Sequence, residues 1–117
     1  MDALKKERWI EAGVDVESAL GRFMGNEALL ERFLKKFLDD SNYGKLREAI
    51  AAGDMDGAVT ASHTLKGLCG NLSMTALFGL FTKQVALLRE GRLEEAAAMM
   101  AEIAPAYEKV TEAIRRG

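Results

Sequence analysis

Apolar residues recur along this chain at spacings of three and four. No run alternates with a period of two for long enough to make a strand. The pattern therefore predicts an all-α protein. A short amphipathic helix over residues 2–12 is followed by "GVD", where Asp15 is placed to cap a helix that turns Val16, Ala19, Leu20 and Phe23 inward. Gly25-Asn26 ends it. Over residues 27–42, Leu30, Phe33, Leu34, Phe37 and Leu38 form one stripe, opposite Glu31, Arg32, Lys35 and Lys36. "SNYG" closes that helix, and a shorter one over 45–52 stops at Gly53. Asp54 is placed to cap the next, which runs to about Leu72. Ser73 or Thr75 is placed to cap a helix over 75–90, with Gly91 at its stop. The last segment, 93–115, carries Ala96, Met100, Ile103, Tyr107, Val110 and Ile114 on a seam, and Pro105 is expected to kink it. Short loops make consecutive helices antiparallel. The economical architecture is an antiparallel up-down four-helix bundle, with short additional N-terminal helices covering one end.

Composition narrows the function classes. At 117 residues, one domain covering 1–117 with a single core is expected. Sixteen basic residues are interspersed with eighteen acidic ones, so no basic face invites nucleic acid. The N-terminus "MDALKKERWI" has charges where a signal peptide needs an apolar run, and no stretch approaches a membrane span. A cytoplasmic monomer is expected. Cys69, the only cysteine, falls on an apolar helix face and reads as a buried inert thiol. Trp9 and the six methionines read as core or end filling.

The stretch that does not fit plain packing is "SHTLKGLCGN", residues 62–71. It holds the only histidine, His63, with Gly67 and Gly70 four and seven residues later. A glycine inside a helix costs about 0.8–1 kcal/mol relative to alanine. At about 100° per residue, Ala58, Ala61, Leu65, Leu68, Cys69 and Leu72 form an arc centred about 190° from His63, so the histidine faces away from the core. Gly67, Gly70, Lys66 and Thr60 share its outer face. Two explanations compete: the glycines let a neighbouring helix approach, or they clear the face for another macromolecule. Lys66 favours the second. One turn from His63, its ammonium can neutralise a phosphoryl group on the ring. Histidine as a residue type also offers a nitrogen lone pair near neutral pH without a base to activate it.

The run "AVTASHTLKGLCGNLSM" resembles the phosphoacceptor motif of histidine-containing phosphotransfer (HPt) domains: an alanine-rich lead-in, histidine, lysine three later, glycine four later, and a small residue at the next turn. "GVDVESALGRFMGNEALLERFLKKF" (13–37) resembles that family's entry segment, and "AIAAGDMDGAV" the spacer before its histidine helix. The resemblance spans about residues 13–115. It implies a phosphorelay carrier in which His63 accepts a phosphoryl group from a receiver-domain aspartyl phosphate or a sensor histidine kinase and passes it to another receiver aspartate. Lys66 would stabilise phosphoryl charge, and Gly67 and Gly70 would give the partner clearance. Magnesium would come with the receiver. No cofactor or metal is expected on this chain, which shows no carboxylate cluster around the histidine.

The sequence departs from that family in two places. Family members often carry a glutamine or glutamate on the following helix that orients the histidine; Val85 occupies the usual position, with Gln84 one residue earlier. Gln84 lies within the apolar arc of its helix, where an unpaired amide costs about 1–3 kcal/mol, so it needs a partner: His63, a backbone carbonyl or water. Ser73 stands where glycine is common. Phe78, Phe81 and Val85 widen the arc of helix 75–90, either because it is wedged between two helices or because Phe78 and Phe81 contribute to a docking patch. The chain has no glycine-rich phosphate loop and no room for a nucleotide-binding domain, so kinase activity is not expected, and a lone histidine without a cysteine, serine or carboxylate constellation in sequence argues against an independent hydrolase or metal enzyme. The competing function is an unphosphorylated helical module that binds receivers or other signalling proteins.

Overall fold

The computed structural model describes residues 2–117. Among the described residues eight helical segments follow one another: α1 (Ala3–Ala12), α2 (Val16–Arg22), α3 (Glu27–Phe37), α4 (Asn42–Ala52), α5 (Met55–Asn71), α6 (Thr75–Arg89), α7 (Leu93–Ala98) and α8 (Met100–Arg116). Local chemistry starts and stops most of them. The side chains of Asp15 and Asp54 accept the backbone N–H of Ser18 and Gly57, giving α2 and α5 the N-terminal caps expected of them, and Asn26, expected only to end α2, also caps α3 by accepting from Leu29 N–H. Gly53 and Gly91 take the left-handed backbone that ends α4 and follows α6.

The bundle consists of α4, α5, α6 and the α7–α8 pair. Helix α5 packs between α4 and α6, and α6 in turn meets α7 and α8. Links of two or three residues join α4 to α5, α5 to α6 and α6 to α7, which leaves no route but antiparallel return. Helix α1 lies along α8, where the indole Nε1 of Trp9 donates to the Ala113 carbonyl at 3.3 Å. The N-terminal segment also meets the α5–α6 turn: Asp15 N–H donates to the Ser73 carbonyl at 2.8 Å, and the Ser73 hydroxyl to that of Ser18 at 3.0 Å. Leu30, Leu34, Leu46, Leu65, Phe81 and Ile103 are among the fully buried side chains of one continuous core.

Three elements differ from the sequence reading. Helix α3 ends at Phe37 and α4 begins at Asn42, where one helix to residue 42 and a later start at 45 were expected. Asp40 accounts for the early restart, since its carboxylate accepts both the backbone and side-chain N–H of Asn42. The C-terminal segment is interrupted at Met99, and α8 runs through Pro105. Ser73 does not cap α6, whose N-cap position is Met74 with no side-chain hydrogen bond. Ser73 instead adopts φ +53°, a left-handed conformation that glycine takes without strain.

Cys69 is fully buried, and burial, with a smaller contribution from Asp40, pushes its thiol up to about 12. Tyr107 is raised too, first by desolvation and then by Asp40, while it stacks on Tyr43 with ring centroids 3.8 Å apart. Raised acids make the folded state hold protons that the unfolded chain has already released. Their stabilisation is complete below the unfolded values and fades as pH climbs from the ordinary thiol value of 9.0 toward about 12. Urea denaturation at stepped pH should show stability falling over that window, with a slope of about 1.4 kcal/mol per pH unit for each titrating group. Cys69→Ala should flatten the lower part of the fall; an unchanged slope would place the effect elsewhere.

Candidate functional site

The capped start of α5 sets the register of everything on it. Ala58, Ala61, Leu65 and Cys69 are buried, and successive turns carry the opposite face to solvent. His63, Thr60 and Gly67 are exposed there, while Lys66 and Gly70 are partly covered. The wheel drawn from sequence is thus reproduced, with Leu68 only half-buried. Among the described residues no hydrogen bond or ion pair engages the side chain of His63 or of Lys66. Thr64 donates its hydroxyl to the Thr60 carbonyl one turn back, at 2.9 Å. No three His, Cys, Asp or Glu side chains among the described residues are grouped to hold a metal ion.

The two glycines play different parts. A Cβ built on Gly67 would meet nothing within 4 Å, so its bareness serves no contact inside the molecule. One on Gly70 would stand 3.0 Å from two ring carbons of Phe78. Gly70 therefore clears space for a neighbouring helix of its own chain. Phe78 spreads over that gap and remains 39% exposed, beside a shallow concavity that Gly67, Gly70, Thr75 and Phe78 help to line.

Two expected site residues lie elsewhere. Phe81 is fully buried and cannot meet a partner; it fills the core, as a helix wedged between neighbours requires. Gln84 does not orient His63. Its Oε1 accepts the Ser62 hydroxyl at 2.8 Å, and its Nε2 donates to the Ala96 carbonyl at 3.1 Å and reaches Met100 Sδ at 3.4 Å. The amide is fully occupied, as a buried amide must be. Ser62, missed in the sequence reading, is the key to this arrangement. A serine on the core side of α5 and a glutamine within the apolar arc of α6 are each other's signal.

An all-helical bundle carrying one histidine on an outward, partly stripped helix face is the class of protein that these observations define. The family model for the Hpt domain matches residues 28–116, and the chain belongs to that family. Hpt domains act in the histidine phosphotransfer of two-component phosphorelays. The match begins at α3, so α1 and α2 lie outside it, although the resemblance noted in sequence begins at residue 13. Neither the curated proteins nor the solved structures gave a match.

The glycine contrast has a measurable consequence. Gly67→Ala should raise stability by about 1 kcal/mol, the usual gain of alanine in an exposed helix. Gly70→Ala should gain less or lose, because Phe78 has to move; pairing it with Phe78→Ala should restore the gain. Equal gains for the two single variants would show that the Phe78 contact costs nothing.

Proposed function

We propose that this protein is a phosphorelay carrier in which His63 is the phosphorylated residue. The observation that carries the reading is the unengaged, exposed imidazole of His63 beside the empty space over Gly67, on a helix whose opposite face is fixed in the core. In the forward step the lone pair of a ring nitrogen attacks the phosphorus of a receiver's aspartyl phosphate. The N–P bond forms as the P–O bond to the aspartate breaks, and the freed carboxylate stays with the receiver. Passing the group on reverses these bonds with a second receiver's aspartate. A sensor histidine kinase is the alternative donor.

Lys66 lies one turn from His63, where its ammonium offsets phosphoryl charge on the ring and during transfer. Thr60 and Phe78 frame the approach, and Gly67 leaves room for the receiver's loops. Magnesium arrives bound to the receiver, and the carrier adds a nucleophile and a docking face. Bringing two preformed sites into line then supplies most of the rate. The protein is neither a kinase nor an independent hydrolase, and it works as a monomer in the cytoplasm.

Purified protein mixed with a radiolabelled phospho-receiver should acquire acid-labile, alkali-stable label, and His63→Gln should acquire none. Label surviving in that variant would place the phosphoryl group on another residue, whereas tight receiver binding without any label would favour the unphosphorylated module. Lys66→Ala should slow transfer by about tenfold or more, as loss of a charge-stabilising group does. Gly67→Gln should raise the thermal midpoint, as a better helix former on an open face does, yet slow transfer by a similar factor. Wild-type rates with Gly67→Gln would remove clearance from the mechanism.

A further inference from the structure

A cleft of about 620 Å³ opens between α2, α3 and α5, and nothing in the site described so far uses it. Phe23, Phe33 and Phe37 supply its aromatic wall, and Leu68 and Leu72 the share of α5. Both leucines lie on the arc of α5 opposite His63, so what fills the cleft need not touch the imidazole. The Phe23 and Phe33 rings pack with centroids 5.2 Å apart, yet Phe33 remains 40% exposed, although the stripe of α3 directs it inward. The core has closed over Leu30, Leu34 and Phe37 of the same helix and has left this recess unfilled.

Charge at the rim is not balanced within the chain. Arg22, Lys36 and Asp40 are the charged residues that line the cleft. The Asp40 carboxylate is taken up by Asn42, accepting its backbone N–H at 2.8 Å and its side-chain amide at 3.0 Å. Among the described residues neither Arg22 nor Lys36 makes an ion pair or a hydrogen bond. Lys36 Nζ instead sits 5.5 Å from the centroid of the Phe33 ring, a cation held against the aromatic wall. One positive charge is left over at the mouth of an apolar recess.

Size and lining together select the occupant. Recesses of about 300–1,000 Å³, mostly apolar with a few polar groups that fix orientation, are the usual form of a small-molecule site. Phenylalanine and leucine walls accept a hydrocarbon or aryl body and offer a polar one nothing in return for its lost water. The surplus positive charge suits a head bearing one negative charge, whereas a doubly charged head would be left in excess beside Asp40. We infer that the cleft is a binding site for a small amphipathic carboxylate, whose apolar body lies among Phe23, Phe33, Leu68 and Leu72 and whose head is held by Arg22 and Lys36. The site is separate from the phosphoryl chemistry proposed for His63 and does not rest on it.

Decanoate below its micelle concentration is the probe, and decanol is its uncharged analogue. Titration of the full chain, followed by methyl and aromatic NMR shifts, should place decanoate at Leu68, Leu72 and Phe33. Octanoate should bind about tenfold more weakly, since each buried CH2 group is worth up to about fourfold. Decanol should bind about fivefold more weakly than decanoate, the share of a solvent-exposed ion pair. The double variant Arg22→Gln, Lys36→Gln changes two exposed residues, so it should keep the thermal midpoint and the decanol affinity while losing the preference for carboxylate. Phe33→Ser should weaken binding of both probes, and His63→Gln should change neither. Equal affinity of the wild-type protein for decanoate and decanol would overturn the inference. So would the absence of any saturable shift, or shifts centred on the exposed Leu4 and Ile10 of α1, which mark unspecific adsorption.

Discussion

The structure depends on the burial of one face of α5 between α4 and α6. Ala58, Ala61 and Ser62 are small enough for neighbouring helices to come close, and Leu65 and Cys69 fill the space further along. Burying a leucine side chain is worth about 2 kcal/mol, and rotating the helix would forfeit several such terms together. With 100° between residues, fixing that face also fixes where His63 points. The imidazole needs no hydrogen bond of its own to be aimed outward, because the apolar residues on the opposite side of α5 do the aiming.

The Ser62–Gln84 bond adds a polar constraint to this apolar one. It joins α5 to α6, and the other end of the amide joins α6 to the carbonyl of Ala96 in α7. Apolar contacts tolerate small slides, but a buried amide left without partners costs about 1–3 kcal/mol. The three helices are therefore held in one register at the level of the histidine. Of the partners the sequence left open for Gln84, the structure takes a backbone carbonyl rather than His63, so the amide serves the scaffold beneath the site and the ring nitrogens of His63 stay open to whatever docks.

What could be read from sequence was mostly local. The caps at Asp15 and Asp54 and the stops at Gly53 and Gly91 involve residues three or four apart, so they appear in the order of the letters; Asn26 was read only as the end of the preceding helix, although it also caps α3. The outward face of α5 followed from periodicity. The divide between α3 and α4 was placed a few residues late because it turns on the Asp40 carboxylate accepting from Asn42, a local bond that the polar run at residues 39–42 does not distinguish from a continuing helix end. Gly70 and Phe81 needed tertiary knowledge: one lies under Phe78, and the other is closed off by neighbours that no helical wheel includes. Phe33 was placed in the core stripe because periodicity gives direction around a helix and not the extent of the surface covering it.

The clasp between Trp9 and Ala113 has a practical reach beyond holding α1 on α8. It places the only indole of the chain in a seam that contributes no residue to the His63 face or the aromatic cleft. Emission excited selectively from the indole thus reports the clasp and not the stacked Tyr43 and Tyr107, and a change in it on loosening α1 from α8 would be read separately from events at His63.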